Sequence, residues 1–123
     1  MTNQLKSMRL WGTTDANGDL VVTAPRSLFG WLIAVQWIDG DLADGVDAVL
    51  SATRTPSGVD ATLLTLTDAN ADAWYYPTVV EHDAAGAAQT TRTFQIIEGT
   101  LQLTVSSGGV TKTGGCIVYY TDN

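Results

Sequence analysis

A single histidine, His82, stands in the sequence Glu81-His82-Asp83. It is the one imidazole available to activate a serine, threonine or cysteine nucleophile. A catalytic or metal cluster built on several imidazoles is therefore excluded by counting. The stretch Asp83 to Thr91 that follows has no useful period and reads as a surface loop, which makes His82 a loop or interface residue. The lone cysteine, Cys116, has no internal disulfide partner. Its neighbours Ile117 and Val118 predict a buried thiol in a strand.

The carboxylates offer two other chemistries. Asp15-Ala16-Asn17-Gly18-Asp19 has the Asp-x-Asn-x-Asp spacing of a calcium loop, but the downstream bidentate glutamate and the flanking helices are missing. Asn17-Gly18 instead marks a tight turn. Asp39, Asp41, Asp44 and Asp47 could supply several oxygens to a hard cation from one loop, although plain turns are the expectation. Paired carboxylates for glycoside hydrolysis are not apparent either, because most acidic residues sit in Asp/Asn/Gly turns. The chain has no Gly-x-Ser-x-Gly elbow, Walker phosphate loop or Rossmann fingerprint, and Gly108-Gly109 precede a strand and not a helix. No catalytic, cofactor-binding or metal site is assigned, and no enzyme activity is expected.

What remains is aromatic. In Trp74-Tyr75-Tyr76, consecutive residues of a strand must point to opposite faces, so at least one ring lies in a second packed layer or at an interface. Pro77 then argues for a strand end or an edge, where a partner would add. Trp74, Tyr75, Tyr76, Pro77 and His82 are the candidate interface residues.

These groups must be carried by one small domain. The chain has 123 residues, 45% of them hydrophobic and 15% charged. That is enough for one core and unlike a disordered chain. Residues 1–7 read as an N-terminal arm or first edge segment, and 8–123 as the domain. A net charge of −7 would repel a phosphate backbone, so no nucleic-acid partner is expected. No apolar run approaches the roughly 20 residues needed to span a bilayer, and Met1 to Gln4 leads into no signal-peptide pattern. No membrane partner is expected.

The predicted elements are strands. A hairpin is expected about the 15–19 turn, joining Met8–Thr14 to Leu20–Thr23. After Pro25, Leu28–Ile38 is the expected central strand, with Phe29, Trp31, Ile33, Val35 and Trp37 on its core face and Gly30, Ala34 and Gln36 opposite. Strands at Val46–Thr53, Val59–Thr67 and Ala73–Tyr76 follow, the first two joined by a turn at Pro56-Ser57-Gly58. Leu101, Leu103 and Val105 alternate with Thr100, Gln102 and Thr104 in the clearest half-buried strand. Its expected hairpin partner is Cys116–Thr121, reached through Ser107-Gly108-Gly109 and Gly114-Gly115. About eight short strands predict a single-domain, all-β antiparallel β-sandwich of jelly-roll or immunoglobulin-like kind.

The order of segments resembles a family of small structural proteins encoded among the head genes of tailed bacteriophages, which includes capsid cement or decoration proteins. The resemblance runs through Asp15-Ala16-Asn17-Gly18-Asp19, Thr23-Ala24-Pro25-Arg26 and Leu42-Ala43-Asp44-Gly45-Val46-Asp47. It continues in Trp74-Tyr75-Tyr76-Pro77, His82-Asp83-Ala84-Ala85-Gly86-Ala87-Ala88 and Leu101 to Gly109, with Lys112-Thr113-Gly114. The chain departs from the pattern at Thr78, where relatives often carry a basic residue after the proline.

The resemblance implies a protein added to the outer surface of the phage head, made in the bacterial host cytoplasm. Its partner would be the major capsid protein, and it would act as a homotrimer at local threefold positions. A neck or tail structural protein of the virion, and a carbohydrate-binding or adhesive β-domain, are the alternatives.

Overall fold

The computed structural model describes residues 4–53, 58 and 60–122. The expected turn at Pro56-Ser57, the strand start at Val59 and the first three residues of the expected arm lie outside the described residues. The described residues form eight strands: β1 (Gln4–Thr13), β2 (Leu20–Ile38), β3 (Asp47–Thr53), β4 (Ala61–Leu66), β5 (Ala73–Tyr75), β6 (Thr78–His82), β7 (Ala88–Ser106) and β8 (Thr113–Asp122). They form one antiparallel sheet in the order β1-β8-β2-β7-β3-β4, with β5 added to β2 and β6 to β7.

The two longest strands, β2 and β7, have 19 residues each and fold this sheet over on itself. Leu20–Leu32 of β2 pairs with β7, while Gly30–Ile38 pairs with β8. The strand thus leaves one half of the molecule and enters the other. Val35, Trp37 and Cys116 from one half meet Leu50, Leu66 and Leu103 from the other around a small interior void. The fold is sandwich-like and all-β, as its alternating, turn-punctuated sequence predicts. Leu101, Leu103 and Val105 are buried as expected, between more exposed Thr100, Gln102 and Thr104.

Four expectations about pairing are corrected. β1 and β2 flank the 15–19 turn but do not form a hairpin, because β8 lies between β1 and the second half of β2. The turn itself is there. Asp15 Oδ1 accepts from the Asn17 and Asp19 amides at 2.8 and 3.0 Å, and the Asp15 carbonyl accepts from Gly18 N–H at 3.1 Å. Those amides hold the Asp15 carboxyl below its usual range, Asp19 contributing most. β7 does not pair with β8 either; its ladders run to β2, β3 and β6. A turn signal tells where a chain reverses, and leaves open which strand it then joins.

The expected strands on either side of Pro25 are one strand. Between Thr23 and Ser27 the register with β7 slips, so Pro25 sits in a bulge where its missing N–H leaves no gap in the ladder. The expected 83–91 loop is shorter than predicted. Asp83 to Ala87 repeats the Asp15 turn, with Asp83 Oδ1 accepting from the Ala85 and Ala87 amides, both at 2.9 Å. Ala88 onward belongs to β7, paired with β6. Residues 88–94 are all exposed, which is why their sequence carries no period.

The turns that carry Asp15, Asp39, Asp68 and Gly108 gather at one end of the sandwich. The Asp39 amide donates to Asp72 Oδ1 at 2.8 Å, Asp68 N–H to Asp47 Oδ1 at 3.0 Å, and Gly108 N–H to the Gly18 carbonyl at 2.9 Å. Asp15, Asp19, Asp39, Asp41, Asp44, Asp47, Asp68 and Asp72 thus share this end, eight of the chain's 13 acidic residues. Trp37 anchors it from within. Its fully buried indole donates Nε1–H to the Ala69 carbonyl at 2.9 Å.

Candidate functional site

The expected core face of β2 is split by one residue. Ile33 has no partner on β8, where Leu32 faces Tyr120 and Ala34 faces Tyr119. An inserted residue reverses which face each later side chain meets. Before the bulge, Leu28 and Leu32 point inward; after it, Val35 and Trp37 do. Val35 and Trp37 are therefore core, as expected. Phe29 and Trp31 are not, being 65% and 38% exposed on the outer face.

They do not stand alone there. Register places Phe29 opposite Glu98 and Trp31 opposite Ile96. Phe94, also exposed, follows on the same outward row of β7, and Val79 of β6 lies close by. Shallow open hollows flank Trp31, one lined by Ile33, Thr93, Phe94 and Thr121, another by Val79, Phe94, Gln95 and Ile96. Among the described residues, no titratable side chain lines either hollow.

The predicted aromatic run divides as expected for a strand. Tyr75 is partly buried against the core, opposite Val35. Trp74 and Tyr76 point outward and lie nearly parallel, with ring centroids 6.5 Å apart and planes inclined by 15°. Tyr119 of β8 joins them, 5.1 Å from Trp74, and its hydroxyl donates to Gln36 Oε1 at 3.2 Å. Pro77 separates β5 from β6. His82 is exposed at the turn end of β6, opposite Ala88.

The structure thus brings Trp74 and Tyr76 together, turns Tyr75 inward and leaves His82 on the β6–β7 ribbon. Sequence reasoning missed Tyr119, Gln36 and the whole Phe29 to Ile96 patch. One signal was present. Ile96 and Ile97 are adjacent in a strand, so one of them must face outward, by the same reasoning applied to Trp74 and Tyr75.

The carboxylates do structural work. Asp41, Asp47 and Asp72 each accept a backbone amide from another part of the acidic end. Among the described residues, no three His, Cys, Asp or Glu side chains converge as a metal site would require. Asp39 Oδ1 is buried and has no hydrogen-bond partner among the described residues. Loss of hydration, followed by the charges of Asp72, Asp44 and Asp41, raises its pKa above the ordinary carboxylate value. Cys116 is buried as predicted, and burial pushes its thiol up to about 12.

No family model, curated protein or solved structure matches the chain.

Proposed function

We propose that this chain is a non-enzymatic structural protein of a tailed-phage virion. In this reading it binds the outside of the head shell and stabilises it across coat-subunit junctions, as a homotrimer. The observation that carries the reading is the outward-facing aromatic surface of Trp74 and Tyr76, with the partly buried Tyr119 ring packed against Trp74. Aromatic side chains of this kind supply large contact area at little cost in conformational freedom. The segment order described above supplies the phage context.

The mechanism is mass action. A protein that binds only the assembled shell shifts the equilibrium toward it, and many copies acting across many junctions add their effects. The acidic end contributes most of the negative charge, and a net charge far from zero opposes aggregation.

Co-sedimentation of the purified chain with emptied heads tests this. The wild type is expected to pellet with heads and raise their melting temperature, and a Trp74→Ala/Tyr76→Ala variant to bind about tenfold more weakly or worse. A folded wild-type chain that never pellets with heads refutes the reading. Density at the portal vertex alone would move it to the neck. The same exposed stack beside Gln36 favours one second reading, a carbohydrate-binding surface, which a glycan array would reveal.

A further inference from the structure

The Phe29 to Ile96 patch lies outside the Trp74 stack and calls for its own occupant. We infer that Phe29, Trp31, Phe94 and Ile96, with the base of the β6–β7 ribbon, form the surface through which copies of this chain associate with one another. This rests on the homo-oligomer part of the reading above and assigns it a face.

Area is the first argument. Phe29 is 65% exposed, Phe94 45%, Ile96 44%, Val79 40% and Trp31 38%. With aromatic side chains of 150–250 Å² and somewhat smaller aliphatic ones, these exposures amount to about 400 Å² of apolar surface. A standard interface takes about 800 Å² from each partner, a little over half of it apolar, so the patch matches the apolar part of one complete side.

Charge is the second. The chain carries a net charge of −7, which opposes contact between copies over most of its surface. Along the outward row of β7, however, Phe94 and Ile96 lie between Arg92 and Glu98, one cation and one carboxylate. The row is neutral, and most of the acid is held at the loop end by the turn contacts described above. Contact along this row meets less of the repulsion that the net charge imposes at the acidic end.

The ribbon is the third. Among the described residues, β6 and residues 88–94 of β7 pair only with each other, and those β7 residues are all exposed. A two-stranded ribbon is marginal in water unless something packs on it. Arg92 braces its base by donating to Thr78 Oγ1 and the Thr78 carbonyl, at 2.8 and 2.7 Å. A neighbouring copy's apolar face would supply the missing layer.

Sedimentation velocity of the full chain alone, without heads, decides the matter separately from shell binding. At up to about 100 μM the wild type is expected to sediment at a multiple of its 13.0 kDa mass. Phe94→Asp should sediment as a 13.0 kDa monomer with an unchanged far-ultraviolet circular dichroism spectrum. Should that variant fail to fold, the milder Phe29→Ser and Phe94→Ser should each weaken association about tenfold or more. Trp74→Ala should leave the mass unchanged. A wild type that stays at 13.0 kDa, or folded patch variants that keep the oligomer, would overturn the inference. So would a patch that is protected from solvent only when coat protein is added, which would give the face to the coat subunit.

Discussion

Replacing Trp37 with phenylalanine tests the packing logic at the point where core and acidic end meet. The indole is fully buried and its N–H donates to the Ala69 carbonyl at 2.9 Å. Phenylalanine keeps most of the ring volume and loses the donor. A buried carbonyl stripped of its partner costs about 1–3 kcal/mol. The lost ring volume, roughly 35 Å³ left as a void, adds about 1 kcal/mol. The total, about 2–4 kcal/mol, is a large share of the roughly 5–15 kcal/mol that holds a domain of this size together. It corresponds to a fall in Tm on the order of 10 °C.

Urea unfolding followed by circular dichroism measures this directly, with Trp74→Phe as the exposed control. That control should change stability by less than about 0.5 kcal/mol. Hydrogen exchange adds a local readout. The Ala69 amide, which donates to the Val46 carbonyl at 2.8 Å, should lose protection in Trp37→Phe more than amides of the β1–β8 ladder. A Trp37→Phe chain within about 0.5 kcal/mol of wild type would refute the view that this bond fastens the acidic end to the core.

Three further predictions follow from the same structure. Gly115→Ala should lower stability by about 2 kcal/mol or more in a denaturation experiment, because an added Cβ would lie 2.1 Å from the Leu10 carbonyl oxygen on the paired strand β1. Asp39→Asn should raise Tm slightly at neutral pH and lose that advantage in acid. Its carboxyl pKa is raised on folding, so Asp39 destabilises the fold once pH climbs through that value and ionises it. Cys116 should resist a thiol reagent at pH 8 in the native chain and react promptly in urea. Its contribution to stability is complete below the ordinary value of 9.0 and should fade as pH rises from there toward about 12.

Strand periodicity and turn chemistry are local properties, and where the fold depends on them the sequence is readable. Leu101 to Val105 alternate because one face of β7 is buried there and the other is not. Asp15 to Asp19 reverse the chain because a carboxylate can bind two amides across a glycine in the left-handed region, φ 81° at Gly18. That Trp74 and Tyr75 face opposite sides follows from the pleat alone, while which of them turns inward is set by the pairing of β5 with β2. All-β class and the aromatic candidate site rest on such signals.

Pairing partners and face assignment are not local. Leu28, Gly30, Leu32 and Ala34 offer as good an inward row as Phe29, Trp31, Ile33 and Val35, and only the bulge at Ile33, imposed by the ladder to β8, decides which row is buried at each point. The placing of β8 between β1 and β2 depends on hydrogen bonds over about a hundred residues of sequence. Tyr119 reaches Trp74 only because that placement is made. The residues of an aromatic surface were therefore written in the sequence, while its extent, and the apolar patch beside the ribbon, were set by the tertiary fold.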